Sequence, residues 1–190
     1  MNIPLQVLDQ GLFCPPGEFF IDAWKPVPVC IVTHAHADHA YSGHGLYIAS
    51  EETLKIIKHR MHKEVPSRAL KYGEKVRIGN TWVSLHPAGH ILGSSQIRIE
   101  TAQSVTVISG DYKRALDETC LPFEVVECDI FVTESTFALP IYQWPSNELI
   151  GQQIANWWTN NASKGHPLFT ILLFIRESPK TPVFASQRKS

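Results

Sequence analysis

Four ligand-type side chains, His34, His36, Asp38 and His39, crowd into six positions directly after the apolar run Val29–Thr33. A buried-type strand must therefore end where metal-competent groups begin, and the small residues Ala35 and Ala37 keep the turn between them narrow. Alternate side chains of an extended segment share a face, so His34 and His36 can address one cation while Asp38 and His39, past the bend, address a second beside it. Imidazole suits zinc and carboxylate suits harder cations. The mixture points to a dinuclear zinc or similar transition-metal site, with ions about 3.5 to 4 Å apart. The isolated histidines His44, His59, His62, His86 and His166 lack such company and are expected to be solvated or core-satisfied rings.

Strand-like runs recur through the first 135 residues: Val29–Thr33, Leu46–Ala49, Lys75–Ile78, Thr81–His86, Gln96–Glu100, Val105–Ser109 and Asp129–Thr133. Gly79-Asn80 reads as a tight hairpin turn and Thr101–Ser104 as a longer one. Ser50 before Glu51-Glu52 predicts a capped helix whose Leu54, Ile57 and Met61 cover a sheet face. Ser146 precedes a second helical pattern, with Ile150, Ile154 and Trp157 on one side until Asn160-Asn161.

At 190 residues and 44% hydrophobic, the chain can bury a sizeable core. Seventeen basic against eighteen acidic residues leave a net charge of -1, so any site for a polyanion must be local. One candidate patch holds Lys55, Lys58, Arg60, Lys63, Arg68, Lys71, Lys75 and Arg77 against Glu64 and Glu74. Lys58, Arg60 and Lys63 are its candidate phosphate contacts, although a solvated helix face is the commoner meaning of such a run. The apolar run Leu168–Ile175 is far short of the roughly 20 residues that cross a bilayer. The N-terminus shows no basic region followed by an apolar stretch, and four cysteines without a CxxC pair suit free thiols, so a cytoplasmic protein without membrane contact is expected.

The His34–His39 segment resembles the signature of the metallo-β-lactamase superfamily, and further motifs follow in that family's order. Asp22, in Phe-Phe-Ile-Asp-Ala, resembles the aspartate that orients the metal loop by hydrogen bonds. His90, in Pro-Ala-Gly-His-Ile-Leu-Gly-Ser-Ser, resembles the third histidine of the first metal position. Asp111, in Ile-Ser-Gly-Asp-Tyr, resembles the aspartate that bridges both metals. Thr133-Glu134-Ser135-Thr136-Phe137 looks like the first motif of the nucleic-acid-cutting β-CASP branch. Cys14-Pro-Pro-Gly, Ser109-Gly-Asp-Tyr-Lys-Arg and Leu139-Pro-Ile-Tyr-Gln-Trp-Pro are similar to the bacterial ligase-associated DNA exonuclease group.

The resemblance implies an α+β chain: the N-terminal part of a metallo-β-lactamase fold, an αββα sandwich, over 1–138, then the start of a β-CASP cap over 139–165. It also implies a metal-dependent phosphodiester hydrolase, most specifically a zinc-dependent DNA exonuclease linked to repair and to an ATP-dependent DNA ligase. Its two zinc ions, or manganese in their place, would be held by His34, His36, Asp38, His39, His90 and Asp111. Asp38, His39, Asp111 and Glu134 would form the catalytic group. Lys113 and Arg114 are further candidates for phosphate contact. The alternatives are an RNA-processing nuclease of the same branch, a small-molecule metallo-hydrolase and a non-catalytic remnant. The resemblance stops at about Gly165, before the cap and two histidines that the family would supply. A shortened or frameshifted chain with an atypical tail over 166–190, an incomplete second metal position and weak activity is therefore expected.

Overall fold

Short runs punctuated by glycine and proline make short strands, and the chain divides them between two sheets. The computed structural model describes residues 3–136, 138–143 and 145–161 and the backbone of 185–187. The first sheet places β1 (Gln6–Leu8), β2 (Gly11–Cys14), β3 (Phe19–Ile21), β4 (Val29–Ile31), β5 (Leu46–Ala49) and β6 (Ser67–Ala69) side by side in that order. Its first three strands pair antiparallel; β3 through β6 run parallel. The second sheet runs β12-β11-β10-β9-β8-β7, from β7 (Val76–Ile78), β8 (Thr81–Pro87), β9 (Ser95–Glu100), β10 (Val105–Ile108) and β11 (Ile130–Val132) to β12 (Ala185–Gln187). It is antiparallel except between β10 and β11.

Side-chain alternation builds the layers. Phe19 and Ile21, Ile31 and Ile48 face one buried cluster that also holds Val83, Leu85, Ile97, Ile99, Ile108, Ile130 and Val132 from the second sheet. Phe20, Cys30, Tyr47 and Ala49 point the other way, into a cluster shared with Leu54 and Ile57 of α1 (Glu51–Met61). The stack is thus α1, first sheet, second sheet. Burial pushes the thiols of Cys14 and Cys30 up to about 11 and about 12, as suits packed apolar residues rather than nucleophiles.

The predicted cap of α1 is present: Ser50 Oγ accepts the Thr53 N–H at 3.2 Å. The same hydroxyl donates to the Gly93 carbonyl at 2.7 Å, and Thr53 Oγ1 donates to it at 2.8 Å. Gly93 takes φ +81, and a Cβ there would stand 2.6 Å from the Thr53 nitrogen, so only glycine lets this loop meet the helix end. Met61 is partly buried against the cluster that Leu54 and Ile57 enter.

Two compact units separate within the chain, one ending at Glu134 and joined by β12, the other beginning at Ser135. The second contains α2 (Asn147–Asn161), capped by Ser146 Oγ accepting the Leu149 N–H at 3.3 Å. Ile154 and Trp157 on α2 are exposed. No helix among the described residues is long and apolar enough to cross a membrane. His166 and the remainder of the expected 166–190 tail, apart from the backbone of β12, lie outside the described residues.

Candidate metal centre

The apolar residues of β4 carry the chain to Thr33 and His34, both buried, at the sheet's end. His36 then accepts the N–H groups of His39 and Ala40 on its carbonyl, at 3.2 and 3.0 Å, which winds one helical turn and brings His39 back over His34. The second sheet supplies the opposite wall. His90 sits between β8 and β9 in a loop clamped by Ser94, whose Oγ accepts the N–H groups of His90 and Ile91 at 3.1 and 3.2 Å. Asp111 follows β10 and Gly110. That glycine has φ +55, and a Cβ on it would meet the Thr33 side chain at 2.6 to 2.9 Å.

These elements bring one ligand atom each of His34, His36, His90 and Asp111 within 4.8 Å of one another. His34 Nε2 is 3.0 Å from His36 Nδ1 and 3.8 Å from Asp111 Oδ2; His90 Nε2 is 3.3 Å from His36 Nδ1 and 3.7 Å from Asp111 Oδ2. His39 stands on the other oxygen, its Nε2 3.3 Å from Asp111 Oδ1 and 3.8 Å from Asp38 Oδ2. The Asp38 side chain is exposed, as is His36.

Asp22 holds this arrangement from behind. Its Oδ1 accepts the Thr33 N–H at 2.8 Å, and its Oδ2 accepts the Thr33 hydroxyl at 2.6 Å and lies 2.8 Å from His39 Nδ1. Asp22 itself takes φ +43, a conformation that aspartate tolerates better than most residues. Thr33 Oγ1 also lies 3.1 Å from His34 Nδ1, so both histidines are gripped on Nδ1 and present Nε2 to the centre.

Burial, helped by His39 and the other two imidazoles, lowers the His34 pKa to about 2, leaving a neutral ring ready to donate a lone pair. Burial lowers His90 as well. For His39 burial opposes charge, but Asp22 and Asp111 outweigh it and push the ring up to about 11. Burial likewise opposes charge on Asp111, yet the hydrogen bond and charge of His39, with His34 and His90, hold it down to about 2. Three converging imidazoles and a carboxylate form a four-donor set of the kind that suits zinc-like cations. His39 and Asp38 extend that set on the far side of Asp111.

Glu134 lies two residues past β11 beside this centre, its Oε1 accepting the Tyr112 N–H at 3.3 Å. Lys113 is turned to Asp117, 2.7 Å away, while Arg114 is exposed. The basic run is less one-sided than its sequence: Lys55 pairs with Glu51, Lys58 with Glu64 and Lys75 with Glu100, at 2.7, 2.7 and 2.9 Å. Arg60 reaches the Ala40 carbonyl and Lys63 is exposed. Of the isolated histidines, His86 bonds Ser84 and Glu124, both at 3.0 Å, and His59 and His62 are exposed. His44 is buried against Tyr47, with neither ring nitrogen hydrogen-bonded among the described residues. Thr33, Ser94 and Gly110 are the site residues that sequence reasoning missed; a glycine or hydroxyl beside each ligand was their signal.

No family model matches the chain. It is 28% identical over 148 residues to a protein of Opitutus terrae named a probable DNA ligase, an alignment covering 77% of this chain and 14% of that protein. An RNase J-like protein of Methanocaldococcus jannaschii is 28% identical over 171 residues, 78% of this chain and 41% of its own length. RNase aCSPSF2 of Saccharolobus solfataricus is 28% identical over 137 residues, 56% of this chain and 28% of its own. The chain thus spans less than half the length of these relatives.

Proposed function

We infer that this chain, which belongs with its relatives to the β-CASP branch of the metallo-β-lactamase superfamily, is the metal-holding part of a nuclease that hydrolyses phosphodiester bonds. The carrying observation is the convergence of His34, His36, His90 and Asp111, with His39 against the second oxygen of the same carboxylate. Residues 1–138 are assigned to the metallo-β-lactamase αββα sandwich and 139–165 to the start of the cap. The site would hold two ions, zinc or manganese, the first on His34, His36, His90 and Asp111 and the second on Asp38, His39 and the shared Asp111.

Cations held there would supply Lewis acidity and activate water at neutral pH. The chain's own groups do the rest. Thr33 and Asp22 fix the tautomers of His34 and His39, and burial keeps His34 unprotonated. Glu134, anchored on the Tyr112 N–H, holds the segment after Asp111 in place and lends negative charge beside His90. Lys113 and Arg114 follow the bridging carboxylate and are assigned to flanking phosphates.

By its motifs the substrate is DNA cut from an end, and a relative bearing a DNA ligase name supports a link to ligation and repair. RNA is the second reading, supported by the two relatives named as RNases. The test incubates the chain with end-labelled DNA and RNA oligonucleotides of one sequence, and with a thioester and a β-lactam, under zinc or manganese. Zinc-dependent shortening of the oligonucleotide, abolished in Asp111→Asn, is expected; turnover of the thioester or lactam alone overturns the assignment. Metal bound at stoichiometric amounts without turnover of any substrate would mark a non-catalytic chain.

A further inference from the structure

The turn that carries His36, Asp38 and His39 leads into an open cavity of about 410 Å³, bordered by Tyr41, Ser42, Arg60, Met61 and Lys63. This is within the roughly 300 to 1,000 Å³ usual for ligand pockets. Two features make it a built feature rather than a dent. The Arg60 guanidinium donates to the Ala40 carbonyl, and the Tyr47 hydroxyl donates to the Tyr41 carbonyl at 2.8 Å while accepting the His44 N–H at 3.3 Å. The backbone leaving the metal loop is therefore pinned at two successive carbonyls. The Tyr41 side chain stands out from that backbone, and the residue is 40% exposed.

Charge separates this cavity from another near the site. Near the His90 loop, a cavity of about 360 Å³ is bordered by Leu92 and Gly93 but also by Glu51, Glu52 and Glu74, with Lys71 as its cation. The cavity at Tyr41 is bordered by two cations and no carboxylate. Asp38 lies in the chain between two of its bordering residues, Ala37 and Ala40, without itself bordering it, and Glu64 is taken up by Lys58. A polyanion leaving the metal centre is repelled on the first side and attracted on the second.

We propose that the cavity at Tyr41, Ser42, Arg60 and Lys63 is a nucleotide subsite, receiving the nucleotide next to the one at the metal centre, with its phosphate between Arg60 and Lys63 and its base on the Tyr41 ring. The subsite deepens the nuclease assignment above and rests on it. Stacking on an aromatic ring together with phosphate neutralisation is how single strands are held without sequence preference. It also singles out members of the basic run: Lys63 belongs to the cavity, whereas Lys58 is bound to Glu64 and Arg68 lies on β6.

The test measures binding of a fluorescein-labelled, cleavage-resistant phosphorothioate dT 12-mer to the full chain by anisotropy across a salt series. Tyr41→Ala is expected to weaken binding roughly five- to hundredfold and Tyr41→Phe to leave it within twofold. Lys63→Ala should lower the salt slope by about one, and Arg68→Ala, removing the same charge from β6, should leave it unchanged. A 5-iodouracil strand should photo-cross-link to Tyr41. Far-UV circular dichroism checks the variants, whose altered side chains are all exposed. If the variants bind like wild type while metal-dependent cleavage proceeds, the subsite is overturned and the nuclease assignment stands. If wild type binds no strand, the subsite is overturned as well, and the cleavage assay alone decides the nuclease assignment.

Discussion

Asp22 shows how one residue organises several ligands. Its carboxylate takes the Thr33 amide, the Thr33 hydroxyl and His39 Nδ1, so the proposed second metal position would depend on a side chain that need not touch metal. Asp22→Asn should weaken the second of two metal-binding steps by about ten- to hundredfold while changing the first less, as read by titration against a competing chelator. Equal losses at both steps would refute it. The metal-free protein offers a separate test. The His39 pKa lies above its unfolded value of 6.5, near 11, so its stabilisation is fully present below about pH 6.5 and is lost as pH rises toward 11. Between those limits wild type should lose at most about 1.4 kcal/mol per pH unit through this group. Asp22→Asn should lose less, measured as urea midpoints at pH 6 and 9. Saturating metal should remove the difference, because a ligating imidazole is neutral.

At the scale of elements, what was legible in sequence depended on burial. Strands β4, β5 and β7 to β11 lie within a residue or two of their apolar runs, because each has at least one face in a core. β1, β2, β3 and β6 are absent from those runs, β2 and β3 although they carry buried residues. β1 is exposed throughout, β6 is mostly so, and both are edge strands of the first sheet, held by backbone pairing that leaves no hydrophobic pattern. The candidate ligands from His34 to His39 could be read as a cluster because they are adjacent. His90 and Asp111 came from family resemblance, since the meeting of β4 with the β8–β9 loop is tertiary and has no local spacing. Helix α1 joins the two kinds of information. Its cap was readable, but the second bond of Ser50, to the Gly93 carbonyl, was not. Ser50→Ala should therefore cost more than an ordinary cap, about 1 to 2 kcal/mol in urea unfolding. It should also weaken metal binding through the His90 loop. Thr53→Val, which keeps the cap and loses one bond to Gly93, should show the smaller stability loss.

At the scale of the whole molecule, the candidate ligands come from both sheets: His34 and His36 after β4 of the first, His90 and Asp111 after β8 and β10 of the second. A cation bound to all four joins the two sheets at one end of their shared core. It binds the folded chain and has no such site in the unfolded one, so its binding free energy adds to stability, by about 2.7 kcal/mol at a hundredfold excess over Kd. For a domain of this size, that corresponds to a rise in Tm of roughly 5 to 10 °C. Position decides which variants keep the effect. His90→Ala removes a ligand that ties the second sheet to the first cation, and should abolish most of the rise. Asp38→Ala removes an exposed group on the far side of Asp111 and should preserve most of it. The measurement is thermal unfolding of the three proteins with chelator and at increasing free zinc. In wild type and Asp38→Ala, Tm should climb with the logarithm of free zinc once the first position fills. A Tm indifferent to zinc in wild type, or an equal rise in His90→Ala, would show that these four residues do not hold the sheets through a common ion.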